Sequence, residues 1–135
     1  ISLVNDSSVT IATIDGEINS QIANDDFPLA NQLGLPQMTP ISNLLLEVSL
    51  GKADITFVEP AFAKAFMAAN PGKIQVVSGI ESLRSFPNSM VVKKGNQQLL
   101  DQINAQMKSL IRSGFVDDVL DKYEQYPGSF QRNAY

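Results

Sequence analysis

The ten residues from Gly51 to Pro60 constrain the fold more than any other stretch, because they join a helix-ending glycine, a strand and a helix-starting proline. Gly51 closes an apolar run that begins at Ser42, as glycine often does after the last turn of a helix. Residues 55–58 then have the apolar pattern of a short buried strand, and Pro60 suits the first position of a new helix. This order of elements predicts an α/β fold.

Glu59 stands between that strand and that helix. In an open α/β sheet, ligands bind beyond the carboxyl ends of the strands, where Glu59 is expected to lie. A second interpretation stays open, because an acidic side chain at the start of a helix also caps it or interacts favourably with its dipole. Glu59 is therefore predicted to bind a ligand or to stabilise a helix.

Composition narrows the class of protein further. The 135 residues suit one domain, 44% hydrophobic residues suffice for a core, and a net charge of −4 argues against nucleic-acid binding. The sequence has no run of about 18 apolar residues, so it predicts no membrane-spanning helix. It has no Cys for thiolate chemistry and no His for acid–base catalysis or metal ligation. Most common types of active site, which depend on Cys or His, are therefore excluded, and neither a metal nor a cofactor is expected.

The rest of the chain alternates between strand and helix patterns, which predicts a central, mostly parallel sheet flanked by helices. Strands are predicted at residues 9–14, 54–58, 73–77 and 89–92, with a short edge strand near 35–38. Helices are predicted at residues 18–23, 42–50, 60–70, 97–112 and 115–123. The helix at 97–112 carries an apolar stripe of Leu99, Leu100, Ile103, Met107, Leu110 and Ile111.

Three blocks of sequence resemble the second half of the family 3 extracytoplasmic solute-binding proteins, best known for delivering amino acids to ABC importers. Residues 9–16 resemble the strand and glycine turn that open that family's second lobe. Residues 50–54, Leu-Gly-Lys-Ala-Asp, resemble its leucine-glycine-basic-x-aspartate segment. Residues 90–96, with Ser113-Gly114-Phe115, resemble its closing strand-helix-glycine-helix unit. The resemblance implies a lobe of the periplasmic-binding-protein type 2 kind, with the ligand held between two lobes.

The resemblance also implies a domain organisation in which only one lobe is present. Residues 1–8 are expected to be a linker from a missing upstream region, 9–84 the second ligand-binding lobe, 85–88 the hinge, 89–124 a segment returning toward the first lobe, and 125–135 a tail. The stripe on the helix at 97–112 would then lack its usual partner. Because an apolar helix face seldom stays solvated, we expect self-association or domain exchange.

The resemblance implies ligand-binding residues at the positions of this sequence that match those of the family. Glu59 occupies the place of the acidic residue, usually Asp, that pairs with the ligand's amino group. The turn Asp15-Gly16-Glu17-Ile18-Asn19 occupies the place where hydroxyl and N–H groups receive the ligand's carboxylate. Here Glu17 and Ile18 replace the hydroxyl residues. The carboxylate of Glu17 would repel the carboxylate of a ligand, so the site is expected to favour a cation. The alternative is that Asp15 caps the helix and Glu17 points to solvent.

Two hydroxyl residues from the next strand-helix turn are further candidates. Thr39 and Ser42 are placed where they can line the ligand cleft, although a cap of the helix that follows is the better explanation of Ser42. Phe57, Phe62 and Phe66 recur at strand and helix spacing, which predicts core packing and not an aromatic ligand box.

The resemblance implies function by binding and not by catalysis. The expected role is the solute-binding component of an ABC-type importer, located in the periplasm or otherwise outside the cytoplasm. Its ligand is expected to be an amino acid or a related amine, and its partner a membrane permease. Three alternatives remain: a ligand-sensing domain of a bacterial receptor or histidine kinase, a dehydratase-like enzyme in which Glu59 donates a proton, and an interaction domain without a small-molecule ligand.

Overall fold

The computed structural model describes residues 3–79, 82–126 and 128–132. The contacts between residues divide the protein into two compact units, residues 1–81 and 82–135. The assignment of residues 9–84 to a ligand-binding lobe and of 85–88 to a hinge stays a prediction. The first unit contains β1 (Thr10–Ile14), α1 (Ile18–Asp26), β2 (Asn31–Leu35), α2 (Ser42–Ser49), β3 (Ile55–Thr56) and α3 (Pro60–Ala69), and the second contains α4 (Gln97–Arg112) and α5 (Phe115–Tyr123).

Strand β1 lies at the centre of a three-stranded sheet in the order β2-β1-β3, and both pairings are parallel. Its sequence, Thr-Ile-Ala-Thr-Ile, is nearly all apolar or β-branched, and residues 11–14 are buried. Such a run is typical of a strand that is covered on both faces. In the register, Ala12 lies between Leu33 of β2 and Thr56 of β3. The carboxyl ends of all three strands therefore meet at one edge.

Alternating side chains of β1 build a core on each face of the sheet. Ala12 and Ile14 pack with Leu44 of α2 and with Ala53, which places α2 on this face. Ile11 and Thr13 are buried on the opposite face. Helix α1 connects β1 to β2 on one side of β1, whereas α2 connects β2 to β3 on the other side of β1. Right-handed connections therefore place α1 and α2 on opposite faces of the sheet.

The aromatic residues of this unit differ in their burial. Phe27 is 2% exposed and stacks on Phe57, with ring centroids 5.3 Å apart, so Phe57, which is itself half-buried, packs against a core residue. Phe62 is 47% exposed and Phe66 is half-buried, and α3 buries none of its residues. The core assignment of Phe62 is therefore wrong, because helical spacing shows which residues share a face but not whether that face is covered.

Several predicted strand positions are wrong. Strand β2 spans Asn31–Leu35 and not residues 35–38, because Pro36 lacks the N–H that a ladder needs. Residues 73–77 and 89–92 are not in strands. Val76 and Val77 are exposed, so this segment has the residue types of a strand without a neighbour to pair with. Helix α1 continues past its predicted end at Ala23 to Asp26.

In the second unit, both helices have the predicted bounds, which are confirmed at residues 97–112 and 115–123. The side chain of Asn96 accepts a hydrogen bond from the Leu99 N–H at 3.3 Å and so caps α4. Gly114 has φ 78°, a left-handed conformation that glycine adopts readily, and it joins α4 to α5. Within the described ranges, no helix is both long and apolar enough to cross a membrane.

The described part of the tail folds back on α5. The Glu124 carboxylate accepts hydrogen bonds from the N–H groups of Phe130 and Ser129 at 3.0 and 2.7 Å, and Arg132 lies 3.2 Å from it. The Phe130 N–H, followed by Arg132 and the Ser129 N–H, stabilises the charged form and lowers the pKa of Glu124. Arg132 also pairs with Asp117 and Asp121.

The packing of α2 predicts a specific stability difference within one helix. Leu44 is 0% exposed and Leu46 is 43% exposed. Leu44→Ala should lower the free energy of unfolding by about 2–5 kcal/mol, because it leaves a cavity beside β1. Leu46→Ala, the matched control, should change it by about 0.5 kcal/mol or less. Urea unfolding followed by circular dichroism measures both, and equal losses would contradict this description of the core.

Candidate functional site

Three loops leave the carboxyl edge of the sheet, one after each strand. Residues 15–17 follow β1, residues 36–41 follow β2, and residues 57–59 follow β3. Because the strands are parallel, these loops gather at the same edge, which is where open α/β sheets bind their ligands. The loops contain every acidic residue of the predicted site, namely Asp15, Glu17 and Glu59.

Asp15 and Glu59 occupy corresponding sequence positions after the paired strands β1 and β3. Ala12 pairs with Thr56, a separation of 44 residues, and the Thr56 hydroxyl donates to the Ala12 carbonyl at 2.9 Å. The same separation relates Asp15 to Glu59. Glu59 keeps an extended backbone, with φ −63° and ψ 145°, so the chain has not yet turned into α3. Asp15 and Glu59 therefore leave the same edge of the sheet from neighbouring strands, three residues beyond the last pair of the ladder.

Asp54 holds this register at the other end of β3. Its N–H donates to the Thr10 carbonyl at 2.8 Å, and its carboxylate accepts from the Thr10 N–H at 2.8 Å. The pair of bonds prevents β3 from slipping against β1, because a slip of one residue would break both. Asp54 therefore helps to position the residues that follow β3, including Glu59, although Asp54 itself lies at the opposite end of the strand.

The site lies at a topological switch point. From β1 the chain passes through α1 to β2 on one side, whereas β3 lies on the other side and is reached through α2 on the opposite face. Ligands of open α/β sheets bind at such a point, outside the carboxyl ends of the two neighbouring strands. Asp15 and Glu59 follow these two strands, β1 and β3.

The turn after β1 is held by a buried amide. The Asn19 side chain is 3% exposed, and its oxygen accepts a hydrogen bond from the Ile14 N–H at 2.7 Å. Gly16 has φ 79°, which glycine adopts without strain. These two features turn the chain from β1 directly into α1. The oxygen of Asn19 thus has a structural role, and its predicted contact with a ligand stays a prediction.

Helix α1 starts after Glu17 and not after Asp15. Glu17 is the N-cap residue, and its side chain makes no cap hydrogen bond, so the alternative in which Asp15 is the helix cap is wrong. At the start of α1 the Ser20 and Gln21 N–H groups already donate to the Glu17 carbonyl, at 3.1 and 3.3 Å. Glu17 is exposed and, with Gly16 and Ile18, lines one end of an open depression of about 330 Å³ along α1.

Asp15 leans toward β2, where two residues that the sequence analysis did not single out shape the site. Its N–H donates to the Leu35 carbonyl at 2.9 Å, and a Cβ at Gly34 would lie 3.3 Å from its Oδ1. Gly34 thus leaves room for the carboxylate. Similarly, the Gln37 amide nitrogen lies 3.5 Å from where a Cβ of Gly16 would be. A glycine within a strand pattern signals such a close approach.

Glu59 precedes α3 as its N-cap residue, is exposed, and makes no side-chain cap hydrogen bond. The first helical position is Pro60, which has no N–H to satisfy. The interpretation of Glu59 as a side-chain cap is therefore wrong, although its charge still interacts favourably with the dipole of α3. Its carboxylate is accessible to a ligand.

The two hydroxyl residues are placed differently. The Thr39 hydroxyl donates to the Pro36 carbonyl at 2.6 Å and closes a turn, so it can only accept a further hydrogen bond. Ser42 is exposed and is the first residue of α2, whose N-cap residue is Ile41. The prediction that Ser42 caps α2 is therefore wrong. Contact of Thr39 or Ser42 with a ligand stays a prediction.

The charge at this edge is of one sign. Residues 15–19, 36–42 and 57–59 contain three carboxylates and no Lys or Arg. Across the ranges that the structure describes, no group of three or more acidic residues is close enough to hold a metal ion. Separate carboxylates suit the hydrogen-bonding geometry of an organic ammonium group, which has several donors pointing in different directions.

The fold class is established by comparison with a solved structure. The chain resembles the crystal structure of the ancestral amino acid-binding protein AncCDT-1, described as a precursor of cyclohexadienyl dehydratase, with a TM-score of 0.63 and 21% sequence identity. The match covers 89% of this chain and 48% of that chain, so this chain spans about half its length. No protein-family model matches the sequence, and no curated protein matches it significantly. The predicted periplasmic-binding-protein type 2-like fold is thus confirmed.

The buried amide of α1 gives a stability test of the turn. Asn19→Leu should lower the free energy of unfolding by about 1–3 kcal/mol, because the Ile14 N–H loses its partner in a buried place. Gln21→Leu on the exposed side of the same helix is the control and should change it by about 0.5 kcal/mol or less. If urea unfolding gave the same free energy for Asn19→Leu as for the unchanged protein, the turn would not depend on this bond.

Proposed function

We propose that this chain is a ligand-binding lobe of an extracytoplasmic solute-binding protein, and that its ligand is an amino acid or a related amine. The observation that carries the proposal is that Asp15 and Glu59 follow two neighbouring parallel strands, β1 and β3, at the switch point of the sheet. Exposed carboxylates with no Lys or Arg beside them in these loops give this edge the charge that attracts an ammonium group. The description of the structural neighbour as an amino acid-binding protein supports the same class of ligand.

The chemistry of the edge favours the amino end of such a ligand. An ammonium group offers three donors, and hydrogen bonds between charged partners are shorter and stronger than neutral ones. A ligand carboxylate is received less well, because Glu17 stands at the N-terminus of α1 where the N–H groups would otherwise bind an anion. We therefore propose that the ligand's amino group dominates recognition and that its carboxylate contributes little here.

The proposal extends to partners and location. A solute-binding protein of this fold closes two lobes over its ligand, and the closed form is what a membrane partner recognises. We propose that this chain contributes one of the two lobes, works outside the cytoplasm and delivers its ligand to the permease of an ABC-type importer. A sensing domain of a receptor would use the same lobe, so the two roles differ in the partner and not in the residues of the site.

An enzymatic role is the second candidate, because the structural neighbour is described as a precursor of a dehydratase. General acid catalysis works best with a group that burial and neighbours have tuned toward the working pH. Glu59 and Asp15 are both exposed, and the sequence has no His or Cys to share proton transfer. We therefore favour binding without chemistry.

Three matched ligands test which end of the molecule is recognised. We expect thermal-shift and calorimetric titrations at millimolar concentrations to show stabilisation by a cationic amino acid, because a ligand of the native state raises its stability. The N-acetyl derivative, which lacks the ammonium group, should bind at least about tenfold more weakly. The carboxamide derivative should bind as well as the parent or better. Tighter binding of the N-acetyl derivative would contradict the proposal.

Substitution of the acidic pair tests the residues themselves. Glu59→Gln should weaken binding of the cationic amino acid about 10–150-fold, as expected for loss of a hydrogen bond to a charged group. Asp101→Asn on α4 removes the same charge in the other unit and should leave the affinity unchanged within about twofold. Isothermal titration with each variant measures the difference. Equal affinity for Glu59→Gln and the unchanged protein would remove Glu59 from the site.

A further inference from the structure

Gly34 differs from the other glycines of this chain in its backbone. The other seven have φ between 71° and 91°, a left-handed conformation that residues with a side chain adopt only rarely. Gly34 lies within β2, where it pairs with Thr13 of β1, and its φ is outside that region. An alanine would fit this backbone without strain, so conformation does not account for the glycine.

A glycine inside a strand needs a reason, because it weakens the strand. It loses more backbone freedom on folding than any other residue, and it has no side chain to pack. Such a glycine often marks a place where another group approaches closely. A Cβ built at Gly34 would lie 3.3 Å from Oδ1 of Asp15, which is closer than the Cβ of a side chain ordinarily stands to a neighbouring atom. Among the described residues, no other glycine shows so short an approach.

Asp15 is the neighbour that an added methyl group would displace. Thr13, the other nearby side chain, is 1% exposed, and its Oγ1 would stand 4.0 Å from the added carbon, an ordinary contact. The backbone of Asp15 is held at β2, because its N–H donates to the Leu35 carbonyl at 2.9 Å. Its side chain is exposed and is the part that can move. A side chain at position 34 would therefore push the Asp15 carboxylate away from β2.

We propose that Gly34 is a positioning residue, because the absence of its side chain sets where the Asp15 carboxylate stands at the ligand edge. The inference rests on the proposed function, in which this edge binds an amine, and it adds a residue that acts on the ligand only through Asp15. A hydrogen bond from an ammonium group spans about 2.7–3.2 Å between donor and acceptor. A displacement of a few tenths of an ångström is enough to take a well-placed carboxylate out of this range.

Alanine at this position separates binding from stability. For Gly34→Ala we expect lysine to bind about three- to tenfold more weakly, while the midpoint of urea unfolding stays equal or rises, because alanine restricts the unfolded chain. Gly51→Ala is the matched control with the opposite outcome. Gly51 has φ 71°, and a Cβ there would meet no described atom within 4 Å. Its urea midpoint should therefore fall, while its affinity for lysine stays within about twofold of the unchanged protein.

A double-variant cycle tests whether Gly34 acts through Asp15. Asp15→Asn alone should weaken lysine binding at least about tenfold, as loss of a charged hydrogen-bond acceptor does. In that background, Gly34→Ala should change the affinity by less than about twofold, because the charge that it displaces is gone. Isothermal titration of the four proteins measures the coupling. An equal effect of Gly34→Ala with and without the Asp15 carboxylate would overturn the inference, and so would a lower urea midpoint for Gly34→Ala.

The placement of the carboxylate is also measured without a ligand. The side-chain ¹³C carboxyl signal of Asp15 should move in Gly34→Ala and stay in place in Gly51→Ala. An unmoved signal in Gly34→Ala would overturn the inference, whatever the ligand. If the signal moved but the unchanged protein did not bind lysine, the proposed function would be contradicted, while the placement of Asp15 by Gly34 would still be supported.

Discussion

The parallel pairing of β1 with both of its neighbours is the constraint on which the rest of the first unit depends. It buries β1 on both faces, divides the core between α1 and α2, and brings three loops to one edge of the sheet. The pairing is held at one end by Asp54, whose backbone and carboxylate both bond to Thr10. At the other end Asp15 and Glu59 leave the sheet from neighbouring strands. The candidate site thus follows from the sheet and not from a separate motif.

The helices were more predictable than the strands, for a physical reason. Helix ends are set by neighbouring residues: Asn96 caps α4, and Gly114 supplies the left-handed turn before α5, so both sets of bounds could be inferred from the sequence. A strand needs a partner that is distant in sequence. Residues 73–77 have a strand pattern, but Val76 and Val77 are exposed and the segment belongs to no ladder. Sequence alone does not show which neighbour is available.

The same difference applies to the site. The positions of Asp15 and Glu59 after two strands were predictable from local pattern, because turns and helix starts have recognisable residues. The approach of Asp15 to Gly34, and of Gln37 to Gly16, depends on the register between strands and was not predicted. Capping was misassigned for a related reason. Ser42 has the right chemistry for an N-cap, yet the chain already turns into α2 at Ile41.

The central claim is that the carboxyl edge of β1 and β3 binds an amine-bearing ligand. The most direct measurement is a titration of the ¹⁵N-labelled chain with a cationic amino acid, followed by the backbone amide signals. The account predicts saturable shifts grouped in residues 15–19 and at Glu59, with the signals of α4 unmoved. Shifts confined to other surfaces, or none at millimolar ligand, would contradict it and would return this chain to the class of α/β domains without a small-molecule ligand.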